Sequence, residues 1–430
     1  MYNLLVGSYR ILTLIFLGAL VLRLSLLFVA YHGDLNNNIS WATLAVERGL
    51  DGFYDPPSQS YGEASWPYSA PNQPPLTILM LAATRVIWIG IEKLSWFLNN
   101  RFSFFPSTFI WFWEGKGMTL LVKLPSTMAD LGIGLLIYKY FAQRNKEKLG
   151  FKLSALWLFN PITWYNSAIW GQTDGIVNLL GLIGIFALLN KNLIKFAIFI
   201  VLSVLFKGSL AIFAPVLLFV AYTQKYSLKK WLQATIYMLV TAFLVSIWFH
   251  PRIDLPVWLI NLYRERILPG EIGYLTANAF NFWWLIDSGK RFDSTVYLGL
   301  PARLWGFAVV LTGIILVMIW LKRKISERKI FISLIITSLL SFLFLTRIHE
   351  RYLYPFFPYG TILLGFLPHF WIPYIILSAT HLLNLYHLFW APPLPWLESL
   401  YQNSTFSLLI SFVNLFTFAI ILRHLKLQKI

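Results

Sequence analysis

The chain has 430 residues, of which 58% are hydrophobic and only 12% charged. A soluble protein of this length needs far more charge to cover its surface, so a water-soluble globular enzyme is excluded. The net charge of +17 would suggest nucleic acid in a soluble chain, but here the basic residues fall in short loops between apolar runs, and without cysteine there is no disulfide, thiolate metal site or cysteine nucleophile.

In chain order, the first apolar run, 11–31, is long enough to cross a bilayer and lacks a clear small-residue cleavage site. It is expected to be the first transmembrane helix. His32–Gly33–Asp34 follows at once, then Asn36, Asn37, Asn38 and an amphipathic stretch with Trp41, then Arg48–Gly49 and Phe53–Tyr54–Asp55. A carboxylate at the membrane surface suits a general base acting on an interfacial substrate. Asp followed by Asn is equally good helix-capping material. Asn72–Gln73–Pro74–Pro75 opens a second span near 75–93, and proline starts helices well. The aromatic run 102–113 reads as a thin span or an interfacial helix.

Lys123 then stands alone among apolar residues. It either snorkels to the headgroups or holds a lipid phosphate, with Asp130 as a candidate neutralising partner. Spans near 151–169 and 174–190 flank Asn160–Pro161, Asn166 and Trp170–Gly171–Gln172–Thr173–Asp174. That cluster could hold a sugar by hydrogen bonds with Trp170 stacked on its face, or be a polar turn with an interfacial tryptophan. The stretch 194–222 is one long helix or two short ones meeting at Phe206–Lys207–Gly208, and Lys207 is the second lone lysine. Further spans are expected near 232–249, 302–321, 329–346, 352–368, 372–388 and 405–422. Arg347–Ile348–His349–Glu350–Arg351–Tyr352 lies between two of them. Paired arginines recognise phosphate through multidentate charged hydrogen bonds, with Glu350 as their positioning partner. An internal salt bridge is the plainer reading.

Four basic clusters, at 138–152, 223–230, 321–329 and the C-terminus, are placed in the cytoplasm by the positive-inside rule. The stretches 32–73 (with Asp34, Glu47, Asp51, Asp55 and Glu63) and 251–299 (with Arg264, Arg266, Glu271 and Asp293 among its balanced charges) then fall outside. These sides agree only if 102–113 crosses and 194–222 forms two spans. The expected fold is therefore all-α and polytopic, with roughly 12 to 14 transmembrane helices and both termini inside.

Taken together, Asp34 with Trp41, Gly49 and Tyr54, then Gln73–Pro74–Pro75–Leu76, Trp170–Gly171–Gln172–Thr173–Asp174, Phe206–Lys207 and His349–Glu350–Arg351–Tyr352 resemble the GT-C superfamily of membrane glycosyltransferases. The likeness is nearest to bacterial proteins related to the second mannosyltransferase of GPI-anchor synthesis. The resemblance implies a catalytic module over 1–230 and a C-terminal module over 231–430 that completes the donor site. It implies inverting transfer of a hexose, mannose by resemblance, from a polyprenyl-phosphate sugar to a glycolipid, glycan or protein hydroxyl on the outer or lumenal face. A bacterial or archaeal plasma membrane is the expected setting. Asp34 takes the place of the catalytic base. His349, Arg351, Arg347, Lys207 and Lys123 are the expected donor-phosphate ligands, and Trp170, Gln172, Asp174, Asn72 and Tyr54 the expected sugar or acceptor ligands. No cofactor, metal or nucleic acid is expected, and the single first-loop Asp argues against a two-carboxylate metal mechanism. A multi-pass transporter or lipid-glycan flippase is the alternative, and it predicts inverted repeats and charges near the bilayer centre.

Overall fold

The computed structural model describes residues 2–55, 67–268, 273–288 and 290–427; Glu63, Glu271 and Lys429 lie outside them. The helices are α1 (Tyr2–Leu26), α2 (Asp34–Glu47), α3 (Pro75–Arg101), α4 (Ser107–Ala142), α5 (Glu147–Phe159), α6 (Pro161–Trp164), α7 (Asp174–Leu189), α8 (Leu193–Phe206), α9 (Ala214–Thr223), α10 (Leu228–Ser246), α11 (Leu255–Leu262) and α12 (Phe282–Ile286), then α13 (Ala302–Arg323), α14 (Glu327–Phe344), α15 (Phe356–Leu364), α16 (Trp371–Leu388), α17 (Pro395–Tyr401) and α18 (Ser404–Leu427). Between α12 and α13, the two-residue strands β1 (Val296–Tyr297) and β2 (Leu300–Pro301) pair antiparallel. The class is thus all-α, as the composition leads one to expect.

Among the described residues, four helices are long and apolar enough to cross a membrane: Pro75–Arg101, Ser107–Ala142, Ala302–Arg323 and Ser404–Leu425. Shorter apolar helices run over Asp174–Leu189, Leu193–Phe206 and Gly208–Thr223. Leu232, Ile236, Leu239 and Phe243 form one exposed stripe along α10. An aliphatic stripe of this length facing water would be an aggregation surface, and facing lipid it is at home. At the centre of the bundle α14 is buried on every side from Lys329 to Leu343. The chain is a multi-pass integral membrane protein.

The basic clusters gather at one end. Arg144 pairs with Glu327 at 2.8 Å and lies over the Tyr140 ring. Tyr140 stacks on Phe186, and Gln224 donates to the Leu188 carbonyl at 2.9 Å, which brings the 223–230 loop to the same level. His369 stacks on His424 near the C-terminus, and Phe366 reaches Tyr140. The bond from Gln224 also shows that 194–222 doubles back. The stretch is two short helices that meet at Lys207, joined through a 3-10 turn over Gly208–Phe213.

The 102–113 stretch is not a span of its own. Residues 102–106 are the turn between α3 and α4, and 107–113 open the 36-residue α4. Trp88 and Trp113 exchange indole-to-carbonyl bonds across this hairpin, at 3.2 and 3.1 Å. Gly115, Lys116 and Gly117 interrupt the apolar pattern after Trp113, yet all three sit inside a continuous helix. At 1.5 Å per residue α4 is about 54 Å long, well over the ~30 Å of a hydrocarbon core.

Asp130 was expected beside Lys123; its partner is instead Arg23 of α1. Both side chains are fully buried, with Nε 3.5 Å from Oδ2. Arg23 also donates to the Leu158 carbonyl and to Thr163 Oγ1, each at 2.9 Å. Asp130 accepts further bonds from Ser167 Oγ (2.6 Å) and the Tyr354 hydroxyl (2.7 Å). Removing one partner of such a pair strands the other in a low-dielectric interior. Asp130→Asn should therefore lower stability by about 3–5 kcal/mol. Thermal unfolding of detergent-solubilised protein checks this, and an unchanged midpoint would show that the pair carries no weight.

Candidate functional site

Opposite the basic end, a cavity of about 460 Å³ opens among the helix ends. Its wall includes Asp34, Asn37, Asn38 and Trp41 of α2, and Asn72, Gln73 and Thr77 where α3 begins. Gln172, Lys207, Arg266, Asn278, His349, Arg351 and Tyr352 complete most of its polar lining. Both halves of the chain contribute.

Asp34 is the first residue of α2, and its side chain is 45% exposed, open to the cavity. Gln172 donates to its Oδ2 at 2.7 Å. The backbone N–H of Asp34 donates to His32 Nδ1 at 3.1 Å, so that nitrogen is occupied as an acceptor. The His32 ring packs against Trp170 and Phe389, and burial lowers its pKa, keeping the imidazole neutral. One edge of the carboxylate is thus held in place while the group remains accessible.

Gln172 reaches Asp34 because the chain turns sharply before it. Tyr165–Trp170 is a π-helical turn, and Gly171 ends it in the left-handed region at φ +84°. A Cβ there would also lie 3.0 Å from Lys123 Cγ and 3.1 Å from Leu35. Only glycine meets both conditions without strain.

Lys207 and Asp174 form a pair at 2.8 Å. Lys207 faces the cavity, whereas Asp174, at the start of α7, lies behind it and is also approached by Asn166 Nδ2. Arg351 pairs with the buried Glu350 at 2.8 Å and lies over the Trp170 ring. This is the internal salt bridge of the plainer sequence reading, and it fixes the direction of the guanidinium. His349 joins Ala277 and Asn278 through backbone bridges that close the wall. Burial, with Arg351 and Lys207 nearby, pushes its pKa well below the usual histidine value.

Besides Asp174, four more expected ligands lie outside the cavity lining. Lys123 spends its three ammonium protons on the carbonyls of Leu27, Ala30 and Ile169, at 3.0, 2.8 and 2.7 Å. It ties the end of α1 to the π-turn, where carbonyl dipoles converge, and does not line the cavity. Arg347 is held bidentate by Asp293, with Nε to Oδ2 at 2.7 Å and Nη2 to Oδ1 at 3.2 Å. Trp170 is wholly buried beneath Arg351, so Trp41 is the tryptophan in the wall, its indole N–H on the Ser69 carbonyl. Tyr54 lies behind the wall, its hydroxyl on the Gln73 carbonyl and its ring against Phe249 and Trp258. Sequence reading did not single out Arg266 or Asn278. The available signal was Arg264–Glu265–Arg266, two arginines in a stretch assigned to the outer face.

His349 gives the site a pH signature. Its folded-state pKa is depressed, so folding favours the neutral ring. That contribution to stability is present above the ordinary value of about 6.5 and is lost as pH falls toward the folded-state value. The melting temperature of the native chain should drop as pH falls below about 6.5, and His349→Gln should make that slope shallower, leaving the share that His32 contributes. Parallel slopes for the two proteins would show that His349 is not the source.

The chain matches no protein-family model and no curated protein.

Proposed function

We propose that the chain is an inverting glycosyltransferase that moves a hexose from a polyprenyl-phosphate sugar to an acceptor hydroxyl. The observation that carries this reading is the composition of one cavity wall. An accessible carboxylate, Asp34, shares a space of about 460 Å³ with the cations Lys207 and Arg351 and the imidazole of His349. A space of this size suits a sugar and its phosphate, and the surrounding amides of Asn37, Asn38, Asn72 and Gln73 supply hydrogen bonds for hydroxyl groups.

The chemistry balances with these groups alone. Asp34 takes the proton of the acceptor hydroxyl, whose oxygen bonds to the anomeric carbon from the face opposite the phosphate. The bond from that carbon to the phosphate oxygen breaks, and the electron pair leaves with the phosphate. Phosphate departs without needing an acid, but its growing charge needs fixed cations, and Arg351 and Lys207 are already oriented by Glu350 and Asp174. Gln172 keeps Asp34 facing the cavity. The positive-inside rule puts the basic end in the cytoplasm and so turns this cavity outward. Mannose remains the sugar the resemblance favours.

The test is transfer from labelled polyprenyl-phosphate mannose in reconstituted membranes. Asp34→Asn keeps shape and removes the base, and it should cut turnover about 10²–10⁴-fold while leaving the protein folded. Equal transfer by native chain and variant would leave Asp34 as a helix-start residue and end the mechanism.

A further inference from the structure

We infer that Arg266 is the anchor for the anionic charge of the lipid phosphate, which rests on the glycosyl-transfer reading above. Of the cations in the cavity wall, Lys207 is paired with Asp174 and Arg351 with Glu350. Arg266 has no carboxylate partner among the described residues, and its Nη1 is buried without a hydrogen-bond partner. The adjacent Glu265 pairs with Arg264 on the exposed side. A buried guanidinium N–H left unbonded costs stability, so the arrangement fits a group that an incoming anion completes.

Its position agrees. Arg266 belongs to a π-helical turn, Tyr263–Ile267, following α11. Tyr263 anchors this turn by donating to the Val204 carbonyl at 2.8 Å, and Leu268 lies over Gly208. The turn therefore rests on the break between α8 and α9. Val204, Ser203 and Leu210 at that break also line an apolar groove of about 320 Å³ with Ile200, Leu217 and Trp231. A lipid-linked sugar has a polar and an apolar end, and its phosphate is the joint between them. Arg266 sits in the cavity wall, three residues from Tyr263, whose hydroxyl bonds the carbonyl of the groove residue Val204. Once the two internal pairs cancel, the charges left in the wall are Arg266, which the phosphate would engage, and the Asp34 carboxylate, which the acceptor hydroxyl would engage.

The experiment uses the full chain in nanodiscs, with undecaprenyl monophosphate as probe and phosphatidylglycerol and inorganic phosphate as separate arms. Binding is read by native mass spectrometry. The native chain and Asp34→Asn should both bind the polyprenyl phosphate in preference to the other two probes. Arg266→Gln should weaken that binding about 10- to 100-fold, as loss of a charged hydrogen bond implies, and Arg266→Lys should recover part of it. If Arg266→Gln binds like the native chain, the role of Arg266 falls while the transfer reading stands. If the native chain shows no preference for the polyprenyl phosphate, both fall. If Arg266→Gln does not fold, Arg266→Lys decides: full native affinity overturns a geometry-specific guanidinium anchor, and a partial loss supports it.

Discussion

A carboxylate buried in a membrane bundle has to be surrounded by donors, and Asp130 is the point where this chain meets that requirement. Its donors come from distant places: Arg23 from α1, Ser167 from the π-turn and Tyr354 from the segment after α14. Its own backbone carbonyl accepts from Trp157 of α5. One group thus fixes four segments at once. Tyr354 is three residues from Arg351, so the same bond that satisfies Asp130 also sets the height of the His349–Arg351 turn over the cavity. Lys123, two helical turns before Asp130 on α4, does the complementary work with three carbonyls just past α1 and in the π-turn. The site has the precision of this buried scaffold because its walls are extensions of it.

The cavity is built almost neutral. Lys207 with Asp174 and Arg351 with Glu350 cancel in pairs, and Arg347 is cancelled by Asp293 outside it. Unpaired buried charges are expensive, while paired ones keep their direction. For the phosphate of the proposed donor, direction matters because preoriented dipoles and cations require no rearrangement as charge develops.

The membrane class and the polar clusters that line the cavity were legible in the sequence, and of its two readings of 194–222 the structure has the two short helices. They are written in short-range patterns: apolar runs, their lengths and the residues that interrupt them. What was not legible is pairing across distance. Lys123 and Arg347 looked like phosphate ligands because each is a cation out of place, but their partners are carbonyls just past α1 and in the π-turn, and a carboxylate 54 residues away. Trp170 looked like a sugar platform because it closes a polar motif, yet the turn at Gly171 puts its ring inside. The same limit explains why Arg266 was passed over: it looks like one more loop arginine until Glu265 is seen to face Arg264.

The breaks in the helices point to the site independently of any charge. A helix in hydrocarbon keeps its backbone bonded, so irregular backbone is tolerated only where protein or a water-filled space takes up the freed groups. Here α5 gives way to α6 and a π-turn at Asn160–Pro161, α8 ends at Lys207 before a 3-10 turn, and α14 is followed by another 3-10 turn at Glu350–Leu353. Two of these breaks supply residues that line the cavity, and the π-turn leads directly to a third, Gln172. At the basic end the same helices close with ordinary turns, such as the Asn192 cap of α8 and the Ser326 cap of α14. Short helices that would be a defect in a simple span are therefore what allows a polar cavity to open within the bundle. They also allow groups from opposite ends of the sequence to face one another across it.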